Sequence, residues 1–357
     1  MRVAFVSRHL PEEEGSAAGR QLWSVGEALV ATGHEVTAWS WRPEPPQAGV
    51  PEWCTWQPLP GSPAWRTRGR ALVQPRSDVA RAGWVAPPGA VVVADDPVSW
   101  AAVAGQGRLA VATVHYSVDL DRRALSDRRP AVVQDRRGER RAVRRADLVW
   151  ALSDRVRAAV GRGVWVPACV PLAAEPVPLV EEPVVGLLAD WSWAPNVAAG
   201  RALLDVWPQV RAEVSGARLL LAGRGASPVA VTAGVQWLGE VPATSDLLAQ
   251  VAVFAFPCPA TSGPKMKVLD ALAHGVPVLT TAAGAEGLAG DVDRALVLAD
   301  EGSFRQRLVE LLTDPQKRAD LAKAGRQLVA QGHAPAVAAQ ARLASVRQLL
   351  TGATARG

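Results

Sequence analysis

Cysteine is scarce in this 357-residue chain: Cys54, Cys169 and Cys258 form an odd, widely spaced set. That excludes a disulfide framework and every close zinc spacing, and it fits reduced thiols in a cytosolic protein. Apolar runs are short as well, well below the roughly 20 residues that a membrane span needs. The opening, Met1 to Leu10, reads as a strand running into charge rather than a signal peptide, so a cytoplasmic location is the expectation. The glycine spacing GxGxxG is missing, which argues against a dinucleotide-dependent oxidoreductase, because that spacing lets a backbone approach a pyrophosphate. Repeats of short period are absent. Neither a metal site nor a cofactor is expected.

What is present is apolar bulk: 49% of residues are hydrophobic, enough to bury cores in two domains of ordinary size. The net charge is only +5, but its basic part is local. Ten arginines lie between Arg122 and Arg145, against the three acids Asp127, Asp135 and Glu139. Arg136, Arg137, Arg140, Arg141, Arg144 and Arg145 recur so that on a helix they form one stripe. A solvated helix face accounts for such a stripe. The functional alternative is contact with an anionic partner, either acidic lipid headgroups or a phosphorylated acceptor. Nucleic acid is disfavoured, since no recognised binding motif accompanies the charge.

Along the chain, strands and helices alternate. Met1 to Ser7 is a buried strand, Pro11 to Gly19 a loop of small residues, Arg20 to about Thr32 an amphipathic helix ended by Gly33, and Val36 to Trp41 the next strand. This is a Rossmann-type opening with its glycine-containing loop at the usual ligand edge. Residues 42–88 are rich in Pro, Trp and Arg and read as loops around short elements. There Trp53, Trp56 and Trp65 either offer flat faces to a sugar or aromatic acceptor or pack a core. The strand from Ala90 to Ala94 runs into Asp95 and Asp96, and the strand from Leu109 to Val114 into His115. A titratable residue directly after a parallel strand sits where ligands bind. Ala146 to Ser153 returns to a buried strand, and Val170 to Pro183 is a proline-rich linker.

A second α/β unit begins at Val184, with a helix from about Val197 capped by Asn196 and a strand ending in Gly223, Arg224 and Gly225. Its most informative stretch is Val251 to Leu288. A strand from Val251 to Phe256 is followed by a loop, then by a helix with Pro264 at its first position and Gly275 as its stop, then by a strand from Val276 to Thr281. A loop rich in Gly, Ser and Thr at a helix start, with Lys265 and Lys267 in the first turn, can hold a phosphate. The alternative is a pair of solvated lysines. Residues 302–330 and about 334–351 read as amphipathic helices.

Taken together, these residues resemble the GT-B-fold retaining glycosyltransferases of glycosyltransferase family 4. The resemblance lies in RQLWSVGEALVATGHEV (Arg20 to Val36), GLLADWSWAPN (Gly186 to Asn196), LLLAGRG (Leu219 to Gly225) and above all SGPKMKVLDALAHGVPVLTTAAGAEGL (Ser262 to Leu288). It implies an α/β GT-B fold, two Rossmann-like domains facing a cleft with C-terminal helices packing across. Residues 1–172 would be the acceptor domain, 173–183 the linker, 184–335 the nucleotide-sugar donor domain, and 336–357 a helix and tail crossing back. The implied reaction moves a sugar, with retention and without a metal, from a nucleoside-diphosphate sugar to a hydroxyl or amine on a small-molecule or glycan acceptor. The tryptophan-rich region leans the acceptor toward a small, partly apolar metabolite.

The family's paired glutamates fall at Ser262 and Asp270. Asp270 keeps two acceptor oxygens for the ribose hydroxyls, whereas Ser262 supplies no carboxylate. The backbone from Gly263 through Pro264 and Lys265 to Met266 would hold the diphosphate. The family's arginine and its Lys-Gly pair are replaced by Leu187 and by Pro195 with Asn196, leaving Lys265, Lys267 and Arg224 to neutralise the leaving group. Gly15 and Ser16 match the loop that approaches the donor phosphate. His115 matches a histidine that positions or polarises reacting groups, with Tyr116 where an aspartate often follows. Glu286 matches an acid near the donor sugar hydroxyls. Three alternatives stay open: a GT-B epimerase or phosphorylase, a catalytically silent sugar-nucleotide-binding protein, and a cell-envelope, polysaccharide or lipid-linked transferase docked on an acidic membrane through the Arg122 to Arg145 segment.

Overall fold

The computed structural model describes residues 1–13, 16–40, 51, 55–58, 67–68, 71–72, 84–97, 99–107, 109–127, 130–225 and 233–354. They form two compact units, Met1–Ala168 with Pro335–Gly357, and Cys169–Ala334.

The first unit is built on strands β1 (Arg2–Ser7), β2 (Glu35–Ser40), β3 (Thr55–Pro58), β6 (Val91–Ala94), β7 (Leu109–Val114), β8 (Leu148–Ala151) and β9 (Val164–Trp165), besides a small antiparallel pair, β4 (Thr67–Arg68) and β5 (Ala71–Leu72). The seven are all parallel, in the order β3-β2-β1-β6-β7-β8-β9. β6, β7 and β8 are buried along their whole length, as continuous apolar runs must be when a parallel sheet is covered on both faces. Helix α1 (Ala17–Ala31) begins three residues before the expected Arg20, because Ser16 takes an extended conformation and its hydroxyl accepts the Gly19 N–H at 3.1 Å. Short helices α2 (Trp100–Val103) and α3 (Val118–Ala124) precede the arginine-rich α4 (Pro130–Arg145), and α5 (Asp154–Val160) follows β8.

The arginine stripe is divided by its partners. Arg136 and Arg140 both engage Asp119, the latter at 2.9 Å, while Arg137, Arg141, Arg144 and Arg145 are exposed. Glu139, on the inner side of α4, accepts the Val118 N–H at 3.0 Å, and burial pushes its carboxyl up to about 7.

The second unit has six parallel strands, β10 (Val184–Leu188), β11 (Arg218–Ala222), β12 (Val235–Gly239), β13 (Val253–Phe256), β14 (Val278–Thr280) and β15 (Val297–Leu298), in the order β12-β11-β10-β13-β14-β15. Helix α6 (Ala194–Glu213) covers the sheet with Leu203 and Trp207 fully buried. Asn196 is not its cap. Trp193 occupies that position, and Asn196 lies in the first turn with its side-chain amide donating to the Asp190 carbonyl at 2.7 Å. α7 (Thr244–Leu248), α8 (Met266–Ala273) and α9 (Val292–Ala295) are short. The long helix expected from 302 to 330 is two, α10 (Phe304–Thr313) and α11 (Pro315–Leu328). Asp314 caps the Lys317 N–H at 2.9 Å, and Pro315 opens the new helix. The proline-rich residues 170–183 run along this unit, tied down where Val177 N–H meets the His274 carbonyl at 2.9 Å and where Arg326 donates to the Ala173 carbonyl at 2.9 Å.

A turn of π-helix (Val329–His333) leads to α12 (Pro335–Thr354), which belongs to the first unit. There Arg342 donates to the Pro167 carbonyl at 3.1 Å and stacks 5.5 Å from the Trp150 ring, and the Trp150 indole N–H donates to Ser345 at 2.9 Å. No described helix is long and apolar enough to cross a membrane.

Gly223 follows β11 with φ at +123°, and a Cβ there would run into the Ala189 carbonyl that follows β10. Backbone cannot yield as a side chain can. Gly223→Ala is therefore expected to destabilise by at least about 3 kcal/mol, measured as a lower denaturation midpoint.

Candidate active site

Strand order reverses once in each sheet, between β1 and β6 in the first unit and between β10 and β13 in the second. At such a switch point the loops leaving the two strands turn to opposite faces and open a crevice beyond their carboxyl ends. His115 lies at the first of these places and Lys267 at the second.

In the second unit, the loop after β13 carries Thr261, Ser262 and Lys265, all buried. The Lys265 ammonium is turned back on its own loop and donates to the carbonyls of Ser262 at 3.2 Å and of Gly263. Glu286 brings its carboxylate to the same loop, accepting the Gly263 N–H at 2.8 Å. The expected helix start at Pro264 falls two residues later. Lys265 is the cap residue of α8, without a side-chain cap bond. Neither lysine is a solvated side chain of a first turn. The Lys267 ammonium donates to the Asn196 Oδ1 at 2.6 Å and lies 4.4 Å from the centroid of the Phe256 ring, so it bridges the first turn of α6 and the end of β13. Burial lowers its pKa to about 7, with the Lys265 charge in the same direction and Cys258, Asp190 and Asp270 opposing. Burial likewise pushes the neighbouring Cys258 thiol up.

Asp270, on α8, is 5% exposed. Arg224 is not drawn in: it pairs with Glu240 at 3.4 Å, both side chains being about two-thirds exposed, while its carbonyl accepts the Trp191 N–H at 2.8 Å.

In the first unit, the end of β1 supplies Ser7, Arg8 and His9, the end of β6 supplies Asp95 and Asp96, and the end of β7 supplies His115. His115 Nε2 lies 2.6 Å from the Asp95 carbonyl oxygen and 3.4 Å from its carboxylate. Burial works against the imidazolium, but Asp95 outweighs it and holds the His115 pKa above the usual value. Asp96 accepts the Arg8 N–H at 3.0 Å and the Ser99 hydroxyl at 2.7 Å. Its burial is outweighed by the Arg8 charge and these bonds, so its carboxyl is held below the usual range. His9 goes the other way. Burial, then the Arg8 charge, lowers it to about 4, and its Nδ1 sits 3.2 Å from the Ser16 hydroxyl. Two imidazoles whose pKa values are pushed in opposite directions thus share one strand-end cluster, an arrangement suited to separate acid and base roles.

Gly15, Trp53 and Trp65 lie outside the described residues, as does the side chain of Trp56. Arg8, His9 and the Lys267 to Asn196 contact were not foreseen. The signal that singled out His115, a titratable residue directly after a strand, was present at Arg8 and His9 too.

With this geometry in hand, comparison with known proteins gives the class. Residues 182–314 match a family model described as Glycosyl transferases group 1. A search of curated proteins finds no match. Sucrose-phosphate synthase from Thermosynechococcus elongatus is 17% identical with a TM-score of 0.71, covering 98% of this chain and 99% of its own. Anabaena HepE in complex with UDP and glucose is 14% identical with a TM-score of 0.68, covering 98% and 100%. TarM is 12% identical with a TM-score of 0.61 over 73% of this chain, and the chain spans about half of TarM, 54%. The fold is that of the GT-B glycosyltransferases, two Rossmann-like parallel-sheet units.

The Lys267 pKa has a consequence for stability. Between about 7 and the ordinary 10.5 the unfolded chain keeps a proton that the folded chain has released, so this residue makes stability rise with pH across that window. In Lys267→Met the rise disappears. The stability of the wild type relative to the variant, from urea midpoints at pH 6 and pH 10, is expected to be lower at pH 6 and to recover by pH 10.

Proposed function

We propose that the chain is a retaining glycosyltransferase that moves a sugar from a nucleoside diphosphate to an acceptor hydroxyl or amine. The observation that carries this reading is Lys267, an ammonium group at the switch point of the second sheet, bonded to an amide oxygen and stacked on a ring, its pKa lowered by burial. A diphosphate supplies the negative charge that such a site favours, and the uncapped start of α8 adds a positive dipole end beside it. The match of residues 182–314 supports the same reading, and so does the likeness to a HepE structure that holds UDP and glucose.

In this reading Asp270 takes the ribose hydroxyls and Glu286 the sugar hydroxyls. Glu286 also brings a carboxylate to Gly263, next to Ser262, which has none. The bond from the anomeric carbon to the diphosphate oxygen breaks as the acceptor oxygen or nitrogen bonds on the same face, and the acceptor proton passes to the departing oxygen. Negative charge grows on that oxygen. Lys267, Lys265 and the α8 amides stabilise it without a metal ion. His115, its pKa raised by Asp95, orients the reacting hydroxyl or amine and forms no covalent bond. A small, partly apolar metabolite is the narrower proposal for the acceptor. A second reading, the same enzyme seated on an acidic membrane, is favoured by the exposed Arg137, Arg141, Arg144 and Arg145 of α4.

A thermal-shift panel of nucleoside diphosphates and their sugars tests the donor. One member at 100 times its dissociation constant should stabilise by about 2.7 kcal/mol, and Lys267→Ala and Asp270→Asn should each weaken its binding by roughly tenfold or more. A panel without any shift overturns the reading, and an inverted anomeric proton coupling in the product overturns retention. For the membrane reading, sedimentation with phosphatidylglycerol vesicles at low salt, lost at about 0.5 M salt, is the expected result. No sedimentation at low salt excludes it.

A further inference from the structure

His333 takes no part in the chemistry above, yet it is fully buried. Its Nε2 accepts the Ala289 N–H at 2.8 Å, and its carbonyl accepts the Val170 N–H at 3.1 Å. An imidazole nitrogen that accepts is unprotonated, so the ring is held neutral with its proton on Nδ1. The π turn that ends in His333 presses directly on the same loop. A Cβ at Gly332 would lie 2.9 Å from the Ala289 Cβ and 3.2 Å from its carbonyl oxygen, so nothing larger than glycine fits. Such turns carry an extra residue relative to an α-helix and recur at functional sites.

The loop pinned from behind in this way carries Glu286 at its front. Leu288 N–H bonds to the Ala285 carbonyl at 3.2 Å and closes the turn, and Glu286 then accepts the Gly263 N–H at 2.8 Å. The Gly263 and Ser262 carbonyls in turn hold the Lys265 ammonium. One contact chain within the second unit therefore runs from Val170 and His333, at the two ends of that unit, through Ala289 and Glu286 to the loop that carries Lys265.

We infer that His333 is a positioning residue, which acts through the Ala289 amide to hold Glu286 on Gly263 and so sets the shape of the loop between β13 and α8. Its mechanical half stands on these contacts alone. Its functional half rests on the proposed donor reading.

Amide hydrogen exchange in the ligand-free full chain tests the first half. His333→Ala leaves the Ala289 amide without its acceptor, and exchange at both Ala289 and Gly263 is expected to quicken by roughly tenfold or more. His333→Gln, whose Oε1 reaches the place of Nε2, is expected to restore both. Leu203 and Val185 amides report the fold and are expected to keep their wild-type rates. Should the alanine variant fail to fold, His333→Asn keeps a buried polar side chain too short to reach Ala289 and gives the same readout. Quickened exchange at Ala289 with Gly263 unchanged overturns the inference, as does equal quickening at Leu203.

For the second half, the KM for the nucleotide sugar found active in the panel is expected to rise by roughly tenfold in His333→Ala with the acceptor KM unchanged. Adding His333→Ala to Glu286→Gln is expected to cost much less than it does alone. A wild type that binds no nucleoside diphosphate while Gly263 responds as described overturns the donor reading and sustains the positioning. A wild type that binds one while Gly263 stays unmoved overturns the positioning alone.

Discussion

A parallel sheet that reverses its strand order must leave a gap beyond the strand ends at the reversal, because successive connections there depart to opposite faces. Both units depend on that constraint. At the two gaps the chain puts perturbed ionisable groups, and the two sets differ in kind. The first unit balances charge against charge, with the Arg8 charge lowering Asp96 and Asp95 raising His115, and keeps His9 neutral. The second gives the Lys267 ammonium an amide oxygen and an aromatic ring instead of a carboxylate. A balanced cluster suits proton handling and hydrogen bonding to a neutral hydroxyl. A cation held by an amide oxygen and a ring suits an anion. Division of labour between the units thus follows from what each gap is filled with.

Burial also changes the meaning of the two lysines. In a solvated first turn they would add long-range attraction and little else. Folded into the loop, Lys265 binds the Ser262 and Gly263 carbonyls, and Lys267 is fixed by Asn196, which the Asp190 carbonyl orients through its other amide atom. The loop is organised by hydrogen bonds that the chain makes to itself, so the proposed binding of a diphosphate would call for little rearrangement.

The alternation of apolar strands with helices was readable because parallel strands buried on both faces leave unbroken apolar runs, as in β7 and β13. Residues directly after strands could be read for the same reason, since a strand end locates the ligand edge without any knowledge of contacts. Side-chain direction could not. Nothing in the spacing of Ser262 to Asp270 says that Lys265 turns back on its loop while Lys267 reaches Asn196, 71 residues earlier in the chain. Caps misled where two candidates competed. Asn196 is a good cap by type, but its amide is taken up by Asp190 and Lys267, and the helix starts at Ala194 instead. The break at Asp314 was legible in principle from the Asp-Pro pair, and a continuous amphipathic pattern on both sides hid it.

The bond from Val170 to His333 joins the places where the polypeptide enters and leaves the second unit. Residues 169–334 are therefore one uninterrupted segment set within a first unit that is completed only by α12, after the second unit has been made. During synthesis the inner unit has all its strands available while the outer one still lacks the helix that seats Arg342 and Ser345. The architecture is that of a guest module with adjoining ends, inserted into a host whose last helix is made after it.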